Sequence, residues 1–104
     1  MSDRSKKPLK LVREMVVRNA FGFHARPAAM FAKVASQFES EIMIEKDDIR
    51  VSAKSVMGLL GLEAARGTVI KVEAEGADAK QALDELEALI ESGFGENDDQ
   101  GQDH

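Results

Sequence analysis

The spacing of hydrophobic and polar residues changes several times along the chain, and each change marks a predicted element. Alternating or β-branched apolar residues predict four strands, at 11–18, 41–46, 49–52 and 68–74. Apolar residues spaced by three and four predict three helices, at 25–37, 55–63 and 77–92. Gly67 and Gly76 separate the later elements, and Gly93 is suited to ending the last helix.

The resulting order, β-α-β-β-α-β-α, predicts an α+β fold. A mostly antiparallel four-stranded sheet would carry all three helices on one face. In the first helix the predicted core positions are Ala28, Phe31, Ala32, Ala35 and Phe38. In the last helix they are Ala82, Leu83, Leu86, Leu89 and Ile90. In the short middle helix we expect Leu59 and Leu62 inside, and Val56, Met57 and Leu60 outside.

Composition excludes several classes of function. The 104 residues suit one domain, and the absence of cysteine excludes disulfides, thiol catalysis and thiolate metal sites. The absence of Trp and Tyr, with a net charge of −5, argues against binding to nucleic acid. No apolar run is long enough to span a bilayer, so we expect no membrane insertion and a cytoplasmic protein.

Charge is unevenly distributed between the two ends. Residues 1–10 are rich in Lys and Arg, whereas residues 95–104 carry acidic side chains and no Lys or Arg. We interpret both segments as solvated, disordered extensions of a single domain at 11–94.

The most informative chemistry lies in residues 22–28, Gly-Phe-His-Ala-Arg-Pro-Ala, which place His24 just before a predicted helix. A proline near a helix start suits the fixed φ of the first turn, whose free N–H groups form an anion site. An unperturbed histidine is largely neutral and nucleophilic at pH 7, and Arg26 supplies a planar cation suited to phosphate. These are the parts of a phosphoryl-accepting histidine. From the residues alone, a surface histidine that caps the helix remains the alternative.

Other uses of His24 find no support in the sequence. The second histidine is the last residue, His104, and His24 has no acidic or cysteine companions for a metal site. No serine or cysteine lies close enough in sequence to indicate a hydrolase triad. We therefore expect no metal and no cofactor.

Two segments together resemble a known family. Residues 22–28 are similar to the active-site signature of the histidine-containing phosphocarrier (HPr) family of bacterial phosphotransferase systems. Residues 54–60, Lys-Ser-Val-Met-Gly-Leu-Leu, resemble the regulatory-serine segment of that family, in the same order and at about the same spacing. The resemblance covers residues 11–94 and implies an open-faced β-sandwich. It also implies a phosphoryl carrier, not an enzyme.

The resemblance further implies roles for individual residues. His24 would accept a phosphoryl group on Nδ1 from enzyme I and pass it to an enzyme IIA domain, with Arg26 stabilising the phosphate. Ser55, which is also well placed as a helix N-cap, would be the target of an HPr kinase/phosphorylase. The expected partner-binding residues are Ala25, Pro27, Val56, Met57 and Leu60, on a chain that acts as a monomer.

The resemblance leaves the pathway open. The first interpretation is a carrier in sugar transport, and the second is a carrier in a regulatory, nitrogen-type relay. Residues 92–94, Ser-Gly-Phe, resemble the nitrogen-related (NPr) branch of the family. A corepressor controlled by phosphorylation of Ser55, or a small interaction domain without phosphate chemistry, are the remaining alternatives. The catabolite-repression paralogue lacks the active-site histidine, so His24 excludes that assignment.

Overall fold

The computed structural model describes residues 10–96, and its elements occur in the predicted order. The strands are β1 (Lys10–Val16), β2 (Glu41–Lys46), β3 (Ile49–Ser52) and β4 (Val69–Glu75). The helices are α1 (Ala25–Ala35), α2 (Val56–Gly61) and α3 (Ala79–Glu91), followed by a short 3₁₀ turn at Gly93–Gly95. Five of the six helix ends lie one or two residues inside the bounds that the apolar spacing predicts, since caps and turns end each helix.

The four strands form one antiparallel sheet in the order β1-β4-β2-β3. The central strand β4 pairs with both β1 and β2, so that Val72 lies opposite Arg13 on one side and Ile44 on the other. Residues alternate along β4, with Ile70, Val72 and Ala74 buried and Val69 exposed. Helices therefore cover one face of the sheet and the other face is open, which confirms the α+β open-faced sandwich.

The core positions predicted from the sequence are buried with one exception. The five predicted residues of the first helix region are buried, and so are Ala82, Leu83, Leu86 and Ile90 of α3, whereas Leu89 is half-buried. In α2, Leu59 and Leu62 are fully buried and Val56 and Met57 are exposed, as expected. Leu60 is half-buried, so it belongs partly to the core.

The chain does not leave the domain at residue 94. Three successive residues, 93 to 95, adopt left-handed backbone angles, with φ of 70°, 59° and 74°. They turn the chain back after α3 and bury Phe94. Glu96, which is predicted to lie in the acidic extension, accepts a hydrogen bond from the side chain of Asn19. Residues 1–9 and 97–104, which make up the rest of the two predicted extensions, lie outside the described residues. No helix within 10–96 is long and apolar enough to cross a membrane.

Candidate functional site

The loop that precedes α1 is held against the segment after α2. Gly22 has a φ of +64°, and a Cβ at this position would lie 2.1 Å from the carbonyl oxygen of Ala64. The next amide, of Phe23, donates a hydrogen bond of 3.0 Å to that same oxygen. Only glycine permits both the left-handed backbone and the close approach. This contact fixes where the chain enters the helix and thereby where His24 stands.

His24 occupies the N-cap position of α1 without capping it. Its backbone is extended and its carbonyl accepts the helical bond from Ala28, but its side chain makes no capping hydrogen bond. The ring is 42% exposed, and Nε2 lies 2.9 Å from Oε2 of Glu96. The helix-capping alternative for this histidine is therefore wrong. The imidazole is directed to a partner 72 residues away in sequence.

Glu96 links three groups of the site. Its Oε1 accepts a hydrogen bond of 3.0 Å from the side-chain amide of Asn19, while Oε2 faces His24. The guanidinium of Arg26 lies 3.8 Å from the same carboxylate. The side chain of Glu96 is only 18% exposed. The charge pattern of the sequence predicts this residue in a solvated extension. The one available signal is that a large apolar residue between two glycines, at 93–95, shortly precedes the acid.

The start of α1 leaves two backbone donors free. The amide N–H groups of Ala25 and Arg26 have no acceptor within residues 10–96. Pro27 follows as the third residue of the helix, where a missing N–H costs nothing. Its ring is buried and restricts the first turn, and the partner contact expected for Pro27 stays a prediction. Ala25 and Arg26 are exposed beside His24.

An exposed aromatic residue adjoins His24. The ring of Phe21 is 79% exposed and meets the imidazole edge-on, with 6.1 Å between the ring centroids. Phe21 therefore adds apolar surface directly beside the imidazole.

Ser55 is the N-cap of α2, as the sequence predicts. Its Oγ accepts a hydrogen bond of 3.0 Å from the amide of Gly58. The next two side chains are exposed, with 37% of Val56 and 78% of Met57 accessible. Because α2 packs against α1, this serine lies in the same helical layer as the segment that carries His24.

Ion pairs in the sheet and on α3 lower the pKa values of two carboxylates. Arg50, and then Lys10, lowers the pKa of Glu73 by hydrogen bonding. Lys80, and then Arg13, lowers the pKa of Asp84 in the same way. These groups stabilise the sheet and α3. Within residues 10–96, no group of three or more His, Asp or Glu side chains is arranged to hold a metal ion.

Comparison with known proteins gives a consistent result. A family model described as the phosphorylation site of the phosphotransferase-system HPr component matches residues 11–92. The phosphocarrier protein HPr of Neisseria meningitidis serogroup B is 46% identical over 88 residues, which cover 85% of this chain and 99% of that protein. The phosphocarrier protein NPr of Shewanella violacea is 42% identical over 87 residues, which cover 84% and 96%.

A solved structure agrees at the level of the fold. HPr from Thermoanaerobacter tengcongensis superposes with a TM-score of 0.81 at 46% sequence identity. The match covers 84% of this chain and 98% of that structure.

Proposed function

The chain belongs to the HPr family of phosphotransferase-system phosphocarriers, and on that premise we propose that His24 is the residue that carries the phosphoryl group. The family works between enzyme I and enzyme IIA domains. In this proposal the chain is a monomeric carrier in the bacterial cytoplasm. It relays a group between two enzymes and needs no cofactor.

The observation that carries this proposal is the hydrogen bond between His24 Nε2 and Glu96 Oε2, at 2.9 Å. An ionised carboxylate can only accept, so the ring hydrogen lies on Nε2. Nδ1 then keeps its lone pair, and it forms no hydrogen bond within residues 10–96. A neutral imidazole with a free Nδ1 on a half-exposed ring is a competent nucleophile.

The transfer is a simple displacement at phosphorus. The Nδ1 lone pair forms a new N–P bond while the N–P bond of phosphorylated enzyme I breaks, and its electron pair returns to the donor nitrogen. Passing the group to enzyme IIA repeats this displacement with the carrier as donor. Such transfers depend mainly on positioning and on stabilising phosphate charge.

Arg26 and the start of α1 supply that charge stabilisation. The side chain of Arg26 is 63% exposed, and its guanidinium lies 3.8 Å from the Glu96 carboxylate that also contacts His24. The cation is therefore close to the ring and accessible from solvent. The free N–H groups of Ala25 and Arg26 add donors at the positive end of the helix. Together they favour a dianionic phosphoryl group next to the imidazole.

Partner docking is proposed for the exposed apolar groups around the two phosphorylation positions. These are Val56 and Met57, the exposed part of Leu60 and the ring of Phe21, with Ala25 at the helix start. Enzyme I and enzyme IIA would use this surface in turn, because each must bring its own reacting group to the same ring.

Ser55 is proposed as a regulatory position on that surface. A phosphate on an N-cap serine is favoured by the helix start, so the fold would tolerate it. It would add up to two negative charges beside Val56 and Met57 and thereby oppose docking. The kinase in this proposal is of the HPr kinase/phosphorylase type.

A nitrogen-type regulatory relay is the second candidate for the pathway. The similarity to an NPr protein, 42% identical over 84% of this chain, favours it nearly as much as the similarity to HPr proteins favours sugar transport. Incubation with phosphorylated enzyme I of each type separates the two. Faster transfer from the sugar-type donor supports the first candidate, and faster transfer from the nitrogen-type donor supports the second. A corepressor function of Ser55-phosphorylated protein would survive in His24→Ala.

The proposed carrier function is tested with purified protein, phosphoenolpyruvate and enzyme I of both types, followed by intact mass and acid treatment. We expect one acid-labile phosphate on the wild type and none on His24→Ala. Phosphate uptake that persists in His24→Ala contradicts the assignment, as does its absence from a folded wild type with both donors.

A further inference from the structure

Glu96 lies beyond residues 11–92, the part of the chain that the family model matches, yet it contacts the ring of His24 as described above. We propose that Glu96, held by Asn19, is a positioning residue that fixes the tautomer of His24 and balances the charge of its phosphorylated form. This inference deepens the proposed function, and the part that concerns phosphorylated His24 rests on that function. The part that concerns the tautomer involves the unphosphorylated ring alone.

The backbone brings Glu96 to the site through an apolar anchor. Phe94 is fully buried and its ring meets Phe23 edge-on, with 5.5 Å between the centroids. Phe23 is the residue immediately before His24, and Phe94 lies two residues before Glu96. Burial of one aromatic pair therefore places both the histidine and the carboxylate. A solvated tail would not hold such a geometry.

Asn19 determines how the carboxylate is oriented. Its side chain is 2% exposed, and its Nδ2 donates to the carbonyl oxygen of Gly22 at 2.8 Å and to Oε1 of Glu96 at 3.0 Å. Both hydrogens of Nδ2 are used on these two acceptors, so turning the amide would leave the Gly22 carbonyl oxygen and the Glu96 carboxylate without this donor. Glu96 consequently presents Oε2 to the ring of His24.

The chemical consequence has two stages. Before transfer, Oε2 requires the hydrogen on Nε2, which leaves the lone pair on Nδ1. When Nδ1 forms the N–P bond, the ring becomes cationic because Nε2 keeps its hydrogen. A carboxylate already bonded to that hydrogen stabilises the positive ring, as carboxylates paired with a catalytic histidine do elsewhere. Arg26, the other charged group near this carboxylate, offsets its repulsion of the incoming phosphate.

The variant Glu96→Gln gives a sharp test because Asn19 selects the orientation of the new amide. The Nδ2 group of Asn19 needs an acceptor, so the glutamine oxygen replaces Oε1 and its NH₂ group faces His24. An NH₂ group donates to Nε2 and moves the ring hydrogen to Nδ1, which removes the nucleophile. We therefore expect a change of tautomer from Nε2–H to Nδ1–H, observed by ¹⁵N NMR at a pH where the ring is neutral.

Rates provide the second readout. The initial rate of phosphate acceptance at saturating enzyme I should fall about tenfold or more in Glu96→Gln, since a hydrogen bond to a charged group is lost. Glu96→Ala removes the carboxylate without supplying a donor, so its loss should be smaller. A purely structural role predicts the opposite order, because glutamine has the shape of glutamate. The matched control is Glu85→Gln, an exposed change of equal charge on α3.

The outcomes distinguish the inference from the proposed function. Suppose that Glu96→Gln keeps the Nε2–H tautomer and accepts phosphate as fast as the control variant Glu85→Gln. Glu96 then does not position His24, and the inference fails. If the wild type takes no phosphate on His24, the proposed function fails, while the tautomer measurement still decides the positioning role. A switched tautomer together with a rate loss larger in Gln than in Ala supports both.

Discussion

The ring of Phe23 packs edge-on against the ring of Phe94, with 5.5 Å between the two centroids. This pair joins the loop that carries His24 to the segment that follows α3. Both rings are buried, and Phe31 of α1 extends the cluster on the other side of Phe23 at 5.3 Å. The loop that carries His24 thus depends on an apolar contact made by Phe94, close to the end of the described residues.

Truncation of Phe94, the buried ring of this pair, should lower the stability of the domain. Phe94→Ala removes a fully buried ring, so we expect the free energy of unfolding to fall by about 3–5 kcal/mol. Urea denaturation measures this loss. Phe21→Ala is the control, since its ring is 79% exposed and its removal should change stability by no more than about 0.5 kcal/mol. Equal losses in the two variants would contradict the anchoring role.

Gly22 should not tolerate a side chain. In Gly22→Ala the new Cβ would lie 2.1 Å from the Ala64 carbonyl oxygen, at a φ of +64°. The loop must move, and we expect a loss of stability well above 1 kcal/mol together with slower phosphate acceptance. The comparison is Gly61→Ala at the end of α2, where a Cβ meets nothing within 4 Å. Thermal melts of both variants measure the difference, and Gly61→Ala should be as stable as the wild type or more stable. A Gly22→Ala variant as stable as Gly61→Ala would overturn the close approach.

Much of this arrangement could be predicted from the sequence, and Glu96 shows where prediction ends. The core face of α1 follows from the spacing of Ala28, Phe31 and Ala35, because local periodicity determines which side of a helix is apolar. Ser55 was predictable as an N-cap because capping is a local interaction. His24 and Glu96 are 72 residues apart in the sequence. Their contact depends on a turn formed by three residues with left-handed backbone angles. Neither a period nor a local motif encodes such a contact.

Acid should weaken the domain partly through Asp78. The hydroxyl of Ser40, and then the amide of Glu39, lowers the pKa of Asp78 below its ordinary value of 3.8. A lowered folded-state pKa contributes stability above the unfolded-state value, and this contribution is lost as the pH falls through the folded-state pKa. The difference in unfolding free energy between wild type and Asp78→Asn should therefore be largest near neutral pH and shrink as the pH falls below about 4.

The measurement for Asp78 is urea denaturation at a series of pH values. Ser40→Ala, which removes the largest cause of the shift but keeps the carboxylate, should show an intermediate acid dependence. A difference between wild type and Asp78→Asn that stays constant across the whole pH range would contradict this account.

Ser55 should separate stability from docking. Ser55→Ala removes the hydrogen bond to the Gly58 amide, so we expect a loss of about 1 kcal/mol with little change in transfer rate. Ser55→Asp keeps an N-cap acceptor and adds a negative charge beside Val56 and Met57. It should retain near wild-type stability and raise the enzyme I concentration needed for half-maximal transfer. The reverse pattern, with Asp transferring normally, would refute regulation at this position.

Arg26 should act on phosphate charge. Arg26→Ala is expected to slow phosphate acceptance by His24 about tenfold, because it removes a cation that would stabilise the dianionic group. Arg26→Lys should recover only part of the rate, since an ammonium lacks the planar fork of the guanidinium. Stability should change little, given that the side chain is 63% exposed. Phosphotransfer assays measure the rate of phosphate acceptance, and thermal melts measure stability. Wild-type rates in both variants would exclude a role of Arg26 in stabilising phosphate charge.

The central claim is that Nδ1 of His24 carries the phosphoryl group while Nε2 keeps its hydrogen. The most direct test is ¹⁵N–³¹P NMR of ¹⁵N-labelled protein phosphorylated by enzyme I and phosphoenolpyruvate. We predict a one-bond coupling between phosphorus and Nδ1 of His24, and its absence in His24→Ala. A phosphorus coupled to Nε2, or phosphate carried by any other residue, would contradict the account.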